Sequence, residues 1–167
     1  IATYERIAAE PADVAQELAL MKQSYERSGK DYYLEIRASS PGRSSPRAAA
    51  RFMFLNRTCF NGLWRVNSQG LFNVPHGKYK AIARPSFHQL EAASRALSSA
   101  RLKCGDFREV LHSKTVKKRD LVYADPPYSV GAGESAFVGY TLGGFSTADQ
   151  EVLAERLSAL HLSPGVS

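Results

Sequence analysis

Cysteine is scarce in this chain, long apolar runs are missing, and one stretch has no acidic residue at all. Cys59 and Cys104 are the only cysteines of the 167 residues. They lack the close spacing of a zinc-ligand pair and are too few for a disulfide framework, so both are expected to be packed thiols. No metal site is expected. No apolar run approaches the ~20 residues of a membrane-spanning helix, and the first residues show no signal-peptide pattern. The expectation is therefore a cytoplasmic protein with no membrane contact. Residues 51–90 hold six Lys or Arg and no Asp or Glu. Nothing in that stretch neutralises its positive field, so a polyanion is the expected partner. The net charge of +6 is concentrated there. Residues 51–119 carry fourteen basic and three acidic side chains, whereas residues 120–167 carry one basic and six acidic.

What is present is organised around Leu121-Val122-Tyr123-Ala124-Asp125-Pro126-Pro127-Tyr128. Residues of strand composition run into an acid, two prolines that cannot continue a ladder, and an aromatic ring. In an α/β protein, ligands bind where strands end. The prolines stiffen the turn and leave carbonyl oxygens without neighbouring N–H donors. The Asp125 carboxylate and the Pro126 carbonyl form a pair of acceptors suited to an exocyclic amine, and Tyr128 offers a flat face to a ring. A base reaches such a pocket only when single-stranded or flipped from its duplex.

Earlier in the chain, apolar spacing predicts helices over residues 1–23, with a break at Glu10-Pro11, and over about 47–56. Residues 28–33 read as a loop, and 38–46 as a flexible connection. Leu63 to Asn67 and Leu71 to Val74 flank Ser68-Gln69-Gly70 and predict a β-hairpin at about 63–74. A ribbon bearing Arg65, Asn67 and Asn73 has the shape and donors to enter a DNA groove. After Pro85, a helix over 87–99, a short strand at 101–104, a helix from Phe107, the strand ending at Asp125 and a helix over 150–160 suggest crossover units of a parallel sheet. Ser129 to Gly144 reads as a mobile segment able to cover a target base.

Two motifs carry a resemblance. Asp125-Pro126-Pro127-Tyr128 looks like the catalytic motif of amino-methyltransferases. The stretch from Arg51 to Asn67, continuing from Phe72 to Lys80, closely resembles the target-recognition hairpin of Dam-type (D12 class) DNA adenine-N6 methyltransferases. The resemblance implies an α/β fold: a partial Rossmann-like S-adenosylmethionine-dependent methyltransferase sheet with a mostly helical target-recognition domain carrying the hairpin. It places that domain at residues 1–86 and part of the catalytic domain at 87–167. It implies that Arg65 meets a guanine of a GATC-like site, with Leu63, Pro75 and Tyr79 at neighbouring bases. Phe60 would wedge into the stack and Asn61 hold the opened pair, while Arg57, Asn67, Asn73 and Lys78 would contact phosphate. Asp106 and Phe107, in a Gly-Asp-Phe turn, would meet the adenosine of S-adenosylmethionine together with Asp125. Phe137, Tyr140 and Phe145 would lie near the pocket.

The implied reaction is methyl transfer to adenine N6 in double-stranded DNA, without a metal and without an obligate protein partner, in a prokaryotic or phage-infected cell. Two other readings stay open: a DNA-binding remnant without chemistry, and cytosine-N4 methylation. A Phe-x-Gly-x-Gly cofactor loop, a ribose-binding acid and later strands have no counterpart here, so the chain is expected to be a fragment that does not bind the cofactor productively alone.

Overall fold

The computed structural model describes residues 1–42, 44–80, 82–111, 116, 120–127 and 145–162. Tyr128 and the segment 129–144, with Phe137 and Tyr140, lie outside the described residues. The chain divides into two compact units, Ile1–Lys103 and Cys104–Ser167.

The first unit is built on helices α1 (Ala2–Ala9), α2 (Pro11–Ala38) and α3 (Pro46–Thr58). Glu10, at φ −138° and ψ 55°, separates α1 from α2, and Pro11 opens α2 where a missing N–H costs nothing. The loop expected at 28–33 is instead helix. Gly29 absorbs the whole deviation in one residue (φ 50°, ψ −119°), a backbone state open to glycine. Beyond it, Tyr33 and Ile36, 0% and 1% exposed, draw the last turns of α2 onto the core.

Helix α3 begins where Ser45 accepts a hydrogen bond from Ala48 N at 3.1 Å, with Pro46 in the first turn. Its buried face, Ala49, Ala50, Phe54 and Leu55, packs with Val14, Leu18, Met21 and Tyr25 of α2 in one cluster. Burying each large apolar side chain there contributes about 1.5–3 kcal/mol. Tyr25 meets Phe54 edge-on at 5.6 Å. Arg51 crosses to the end of α2, donating from Nε to Ile36 O at 2.9 Å and from Nη2 to Arg37 O at 2.8 Å. A cation thus satisfies carbonyls that the helix itself cannot.

Helix α4 (Phe87–Ser98) starts with a reciprocal cap between Ser86 and Gln89 and packs on α1 and α2 through Leu90. Ser94 also donates to Ala8 O at 2.7 Å. The compact division therefore falls after Lys103, while the functional boundary read from the sequence lies at residue 86.

No strand is found among the described residues, which corrects several expectations. The hairpin reduces to one antiparallel bridge, Val66 with Phe72, supported by Asn67 N to Leu71 O at 2.9 Å and Asn73 N to Arg65 O at 3.1 Å. Leu63, Val66 and Leu71 stay exposed, so only one side of the ribbon finds a core. Residues 101–104 and 121–124 are not strands either. Leu121 and Tyr123 are 95% and 86% exposed, and no neighbouring strand among the described residues offers them a ladder. Cys59 is buried as expected, whereas Cys104 is exposed, because it follows α4 in a segment without regular structure.

The second unit contains α5 (Phe107–Val110) and α6 (Thr147–Leu162). Leu153 and Leu160 of α6 are buried. No helix among the described residues is long and apolar enough to cross a membrane.

Gly77 supplies a test of the packing. A Cβ there would lie 2.3 Å from the Tyr79 ring and 2.7 Å from the Cys59 carbonyl oxygen, whereas one on Gly42 would meet nothing within 4 Å. Gly77→Ala is expected to cost about 1–3 kcal/mol in urea unfolding. Gly42→Ala is expected to be neutral or to stabilise by up to about 1 kcal/mol. Equal midpoints for the two variants would contradict this packing.

Candidate functional site

The basic face of the first unit is a pair of loops clasped together. The loop after α3 turns through Phe60–Gly62, where Asn61 (φ 51°) and Gly62 (φ 63°) are both left-handed. Asn56 Nδ2 donates to Gly62 O at 2.7 Å and holds that turn. Phe60 N donates to Pro75 O and Gly77 N to Thr58 O, each at 2.8 Å, on either side of a Cys59–His76 bridge. The Cys59 thiol lies 3.2 Å from Leu63 O, and burial pushes its pKa up. It is a structural thiol, closed to chemistry.

Ten residues of this face were singled out by the sequence. Arg57, Phe60, Asn61, Leu63, Arg65, Asn67, Pro75, Lys78 and Tyr79 are exposed, and Asn73 is half-buried. Two of the asparagines have local duties. Asn67 Oδ1 accepts from Gln69 N and Leu71 N, both at 3.0 Å, and so closes the turn of the ribbon. Asn73 Oδ1 accepts from Arg65 Nε at 2.9 Å. In both, the oxygen is engaged and the amide NH₂ remains, a donor suited to a phosphate oxygen. Asn73 also fixes one edge of the Arg65 guanidinium. Among the described residues no other group holds it, so its terminal nitrogens can meet an outside acceptor. Beneath the ribbon, Trp64 packs between Phe52 at 4.5 Å and Phe72 at 4.6 Å.

Three side chains that hold this face from behind were missed in the sequence. Tyr33 donates to Val74 O at 2.7 Å, Tyr25 donates to Tyr79 O at 2.6 Å, and His76 Nε2 lies 2.7 Å from the Tyr25 hydroxyl. Burial raises the Tyr33 pKa to about 12. Burial, with the nearby Lys30 charge, lowers that of His76. Both groups therefore stay neutral near pH 7. Tyr25 and Tyr33 sit within an apolar helical face, and only their separation from the loop by some fifty and forty residues hid them.

The second unit contains a cavity of about 680 Å³. Its lining brings together Asp106, Phe107, Asp125, Pro126 and Pro127, five residues that the sequence put at a site. Tyr128 lies outside the described residues. Asp106 caps α5, accepting from Arg108 N at 2.8 Å, and this backbone hydrogen bond leads the causes that lower its pKa. Arg108 bridges Asp106, at 3.0 Å, and Asp149 at the start of α6. The Asp149 contact is the main cause that raises its pKa. Asp149 also accepts from the hydroxyl and backbone N of Ser146, both at 2.7 Å, and its pKa falls to about 2, with Ser146 the leading cause. Next to it, Gln150 Nε2 donates to Pro127 O at 2.6 Å.

The first turn of α6 therefore grips the Asp106 turn through Asp149 and Arg108, and the Pro-Pro turn through Gln150. Neither Gln150 nor Arg108 was singled out in the sequence. The Pro-Pro turn's carbonyls need a donor from outside, but nothing local in the sequence names Gln150 as that donor. Asp125 is exposed on the cavity wall and has no hydrogen bond among the described residues. Phe107 and Phe145, 5.8 Å apart, form an aromatic corner beside it. Three carboxylates against one guanidinium, with Val122, Leu153 and the two rings as apolar wall, suit a planar nucleoside that carries a cation.

Comparisons with known proteins cover both faces. The profile of the D12 class N6 adenine-specific DNA methyltransferases matches residues 1–164. A type II methyltransferase, M1.LlaDCHI, of Lactococcus lactis subsp. cremoris is 39% identical over 142 residues, which are 81% of this chain and 49% of the relative. The type II methyltransferase M.MjaIII of Methanocaldococcus jannaschii is 34% identical over 148 residues, 84% of this chain and 50% of the relative. A DNA adenine methylase of Haemophilus influenzae is 34% identical over 138 residues, 82% of this chain and 47% of the relative. The chain spans about half the length of these curated relatives. A match that runs through both the clasped basic loops and the Asp-Pro-Pro turn makes the chain a member of the D12 class of N6 adenine-specific DNA methyltransferases.

Proposed function

We propose that this chain carries the DNA-reading and catalytic residues of an adenine-N6 DNA methyltransferase acting on a base flipped from duplex DNA, within a GATC-like site, in the cytoplasm of a prokaryotic or phage-infected cell. The observation that carries this reading is the cavity that gathers Asp125, Pro126, Asp106 and Phe107. Residues 1–86 would read the DNA, and residues 87–167 would form part of the catalytic domain. Given a ladder partner from outside this chain, Leu121–Ala124 would become the strand of a Rossmann-like sheet that delivers Asp125 to its end.

S-adenosylmethionine, when bound, supplies a methyl group already activated on a sulfonium. The chain's own residues do the rest. Asp106 and Phe107 hold the adenosine side by an acceptor and a ring. Asp125 and the Pro126 carbonyl accept the two N–H groups of the target amine. That nitrogen is a poor nucleophile because its lone pair is spread into the purine ring. Two acceptors on its hydrogens favour the pyramidal form and aim the lone pair outward. Gln150 holds the Pro127 carbonyl and so keeps the turn from rotating the Pro126 carbonyl away. On the DNA side, the Arg65 guanidinium offers a fork to guanine, and the amides of Asn67 and Asn73 offer donors to phosphate.

The test is transfer of labelled methyl to a GATC duplex by this chain, alone and supplied with the cofactor-loop segment of a relative. Label on adenine N6 is expected only with that segment supplied. Asp125→Ala should lower the rate on the order of 10²- to 10³-fold. DNA binding without transfer under any of these conditions would sink the enzyme reading.

Gln150→Ala is expected to slow transfer on the order of ten- to a hundredfold while DNA affinity stays at its original value. An unchanged rate would remove Gln150 from the catalytic turn. Arg65→Ala should cost roughly 1–3 kcal/mol of discrimination at one guanine in competition binding. A uniform loss over all sequences would make Arg65 a phosphate contact instead.

A further inference from the structure

The Tyr25 phenol oxygen meets two partners at once, Tyr79 O at 2.6 Å and His76 Nε2 at 2.7 Å. A phenol has one hydrogen and a carbonyl oxygen only accepts, so that hydrogen goes to Tyr79. His76 must then donate its Nε2–H to the phenol oxygen. The direction of donation is fixed, from His76 to Tyr25 to Tyr79. One atom of α2 therefore holds two points of the same loop. Between them lies Lys78, a non-glycine residue at φ 59°. Such a conformation persists only where its surroundings over-determine it.

The rest of the loop's inner edge is engaged as well. Val74 O accepts from Tyr33, and also from Arg37 Nη1 at 3.3 Å, while Pro75 O accepts from Phe60 N and Gly77 N donates to Thr58 O. The outer edge presents Pro75, Lys78 and Tyr79, all exposed.

We propose that Tyr25 and His76 are positioning residues for DNA sequence readout, holding Pro75, Lys78 and Tyr79 in the register that meets the bases. The inference rests on the DNA-reading function proposed above and names what sets its specificity. Phosphate contacts made by a lysine tolerate a displaced loop, because a point charge acts over distance. Contacts to base edges depend on tenths of an ångström and on angle. Loosening this clasp therefore removes discrimination before it removes affinity.

The test begins with a randomised duplex pool from which the unaltered chain selects its preferred sequence, so no site is assumed. The readout is the ratio of affinities for the preferred and a scrambled duplex, with the salt slope of the scrambled one. Tyr25→Phe keeps the ring against Phe54 and removes only the hydroxyl. It should lower the ratio by about tenfold or more while scrambled-duplex affinity and salt slope change less than about twofold. His76→Gln, which offers an amide N–H in place of the ring N–H, should keep the ratio within about threefold, and His76→Leu should lose it as Tyr25→Phe does. Ala50→Gly lies in α3, outside the hydrogen bonds that hold the loop, and serves as a destabilised control that retains the ratio.

Unchanged ratios in both Tyr25→Phe and His76→Leu would overturn the proposal. So would an equal loss in Ala50→Gly, which would make the effect one of global stability. Both outcomes leave DNA reading itself standing. A pool that yields no preferred sequence would overturn the DNA-reading function, and this inference with it.

Discussion

Backbone carbonyls that helices and sheets cannot satisfy must find donors elsewhere, and both functional faces of this chain are built on that constraint. In the first unit the loop from Val74 to Tyr79 joins no strand among the described residues beyond one bridge at His76, and two of its carbonyls are met by phenol hydroxyls reaching up from α2. In the second, two consecutive prolines leave a turn with acceptors and no donors, and Gln150 comes from α6 to meet one of them. Other polar groups on each face have no partner among the described residues. On one face these are the terminal donors of Arg65 and those of two asparagine amides. On the other they are the carboxylate of Asp125 and the carbonyl of Pro126.

This arrangement divides labour between core and surface. Tyr25 and Tyr33 belong to the apolar cluster by their rings and to the basic face by their hydroxyls, so packing on α3 and loop position are set by the same side chains. Arg51 plays a comparable part at the end of α2, where a single guanidinium joins two helices. In the second unit the link is ionic. Asp149, held ionised down to about pH 2, keeps Arg108 fixed between the start of α6 and the Asp106 turn. The Asp106 turn and the Pro-Pro turn of the cavity thus share one support, the first turn of α6.

Much of this was legible in the sequence, and the failures have physical causes. The helices expected over 1–23, about 47–56, 87–99 and 150–160 correspond to α1 with the first part of α2, to α3, to α4 and to α6, and follow from apolar spacing and from Ser or Pro at several of their starts. The continuation of α2 through 28–33 did not, because Gly29 and polar neighbours look like a loop until the burial of Tyr33 is known. Strand composition at 121–124 is real, but a strand exists only with a ladder partner, and none is found among the described residues. The residues that the sequence singled out are those whose chemistry is legible locally: Arg65, Asp125, the prolines, the Asp106 turn. The supports were not found, since Tyr25 and His76 look like core residues and Gln150 like a helix surface residue. Their roles arise from contacts between distant parts of the chain, which no local pattern records.

The most direct test of the account is the structure of the protein carrying this chain bound to a duplex with its preferred site. The account predicts an adenine outside the helix, its N6 within about 3 Å of both the Asp125 carboxylate and the Pro126 carbonyl, and Arg65 on a guanine edge. An adenine held by other groups, or a duplex seated away from the loop of Val74 to Tyr79, would contradict it.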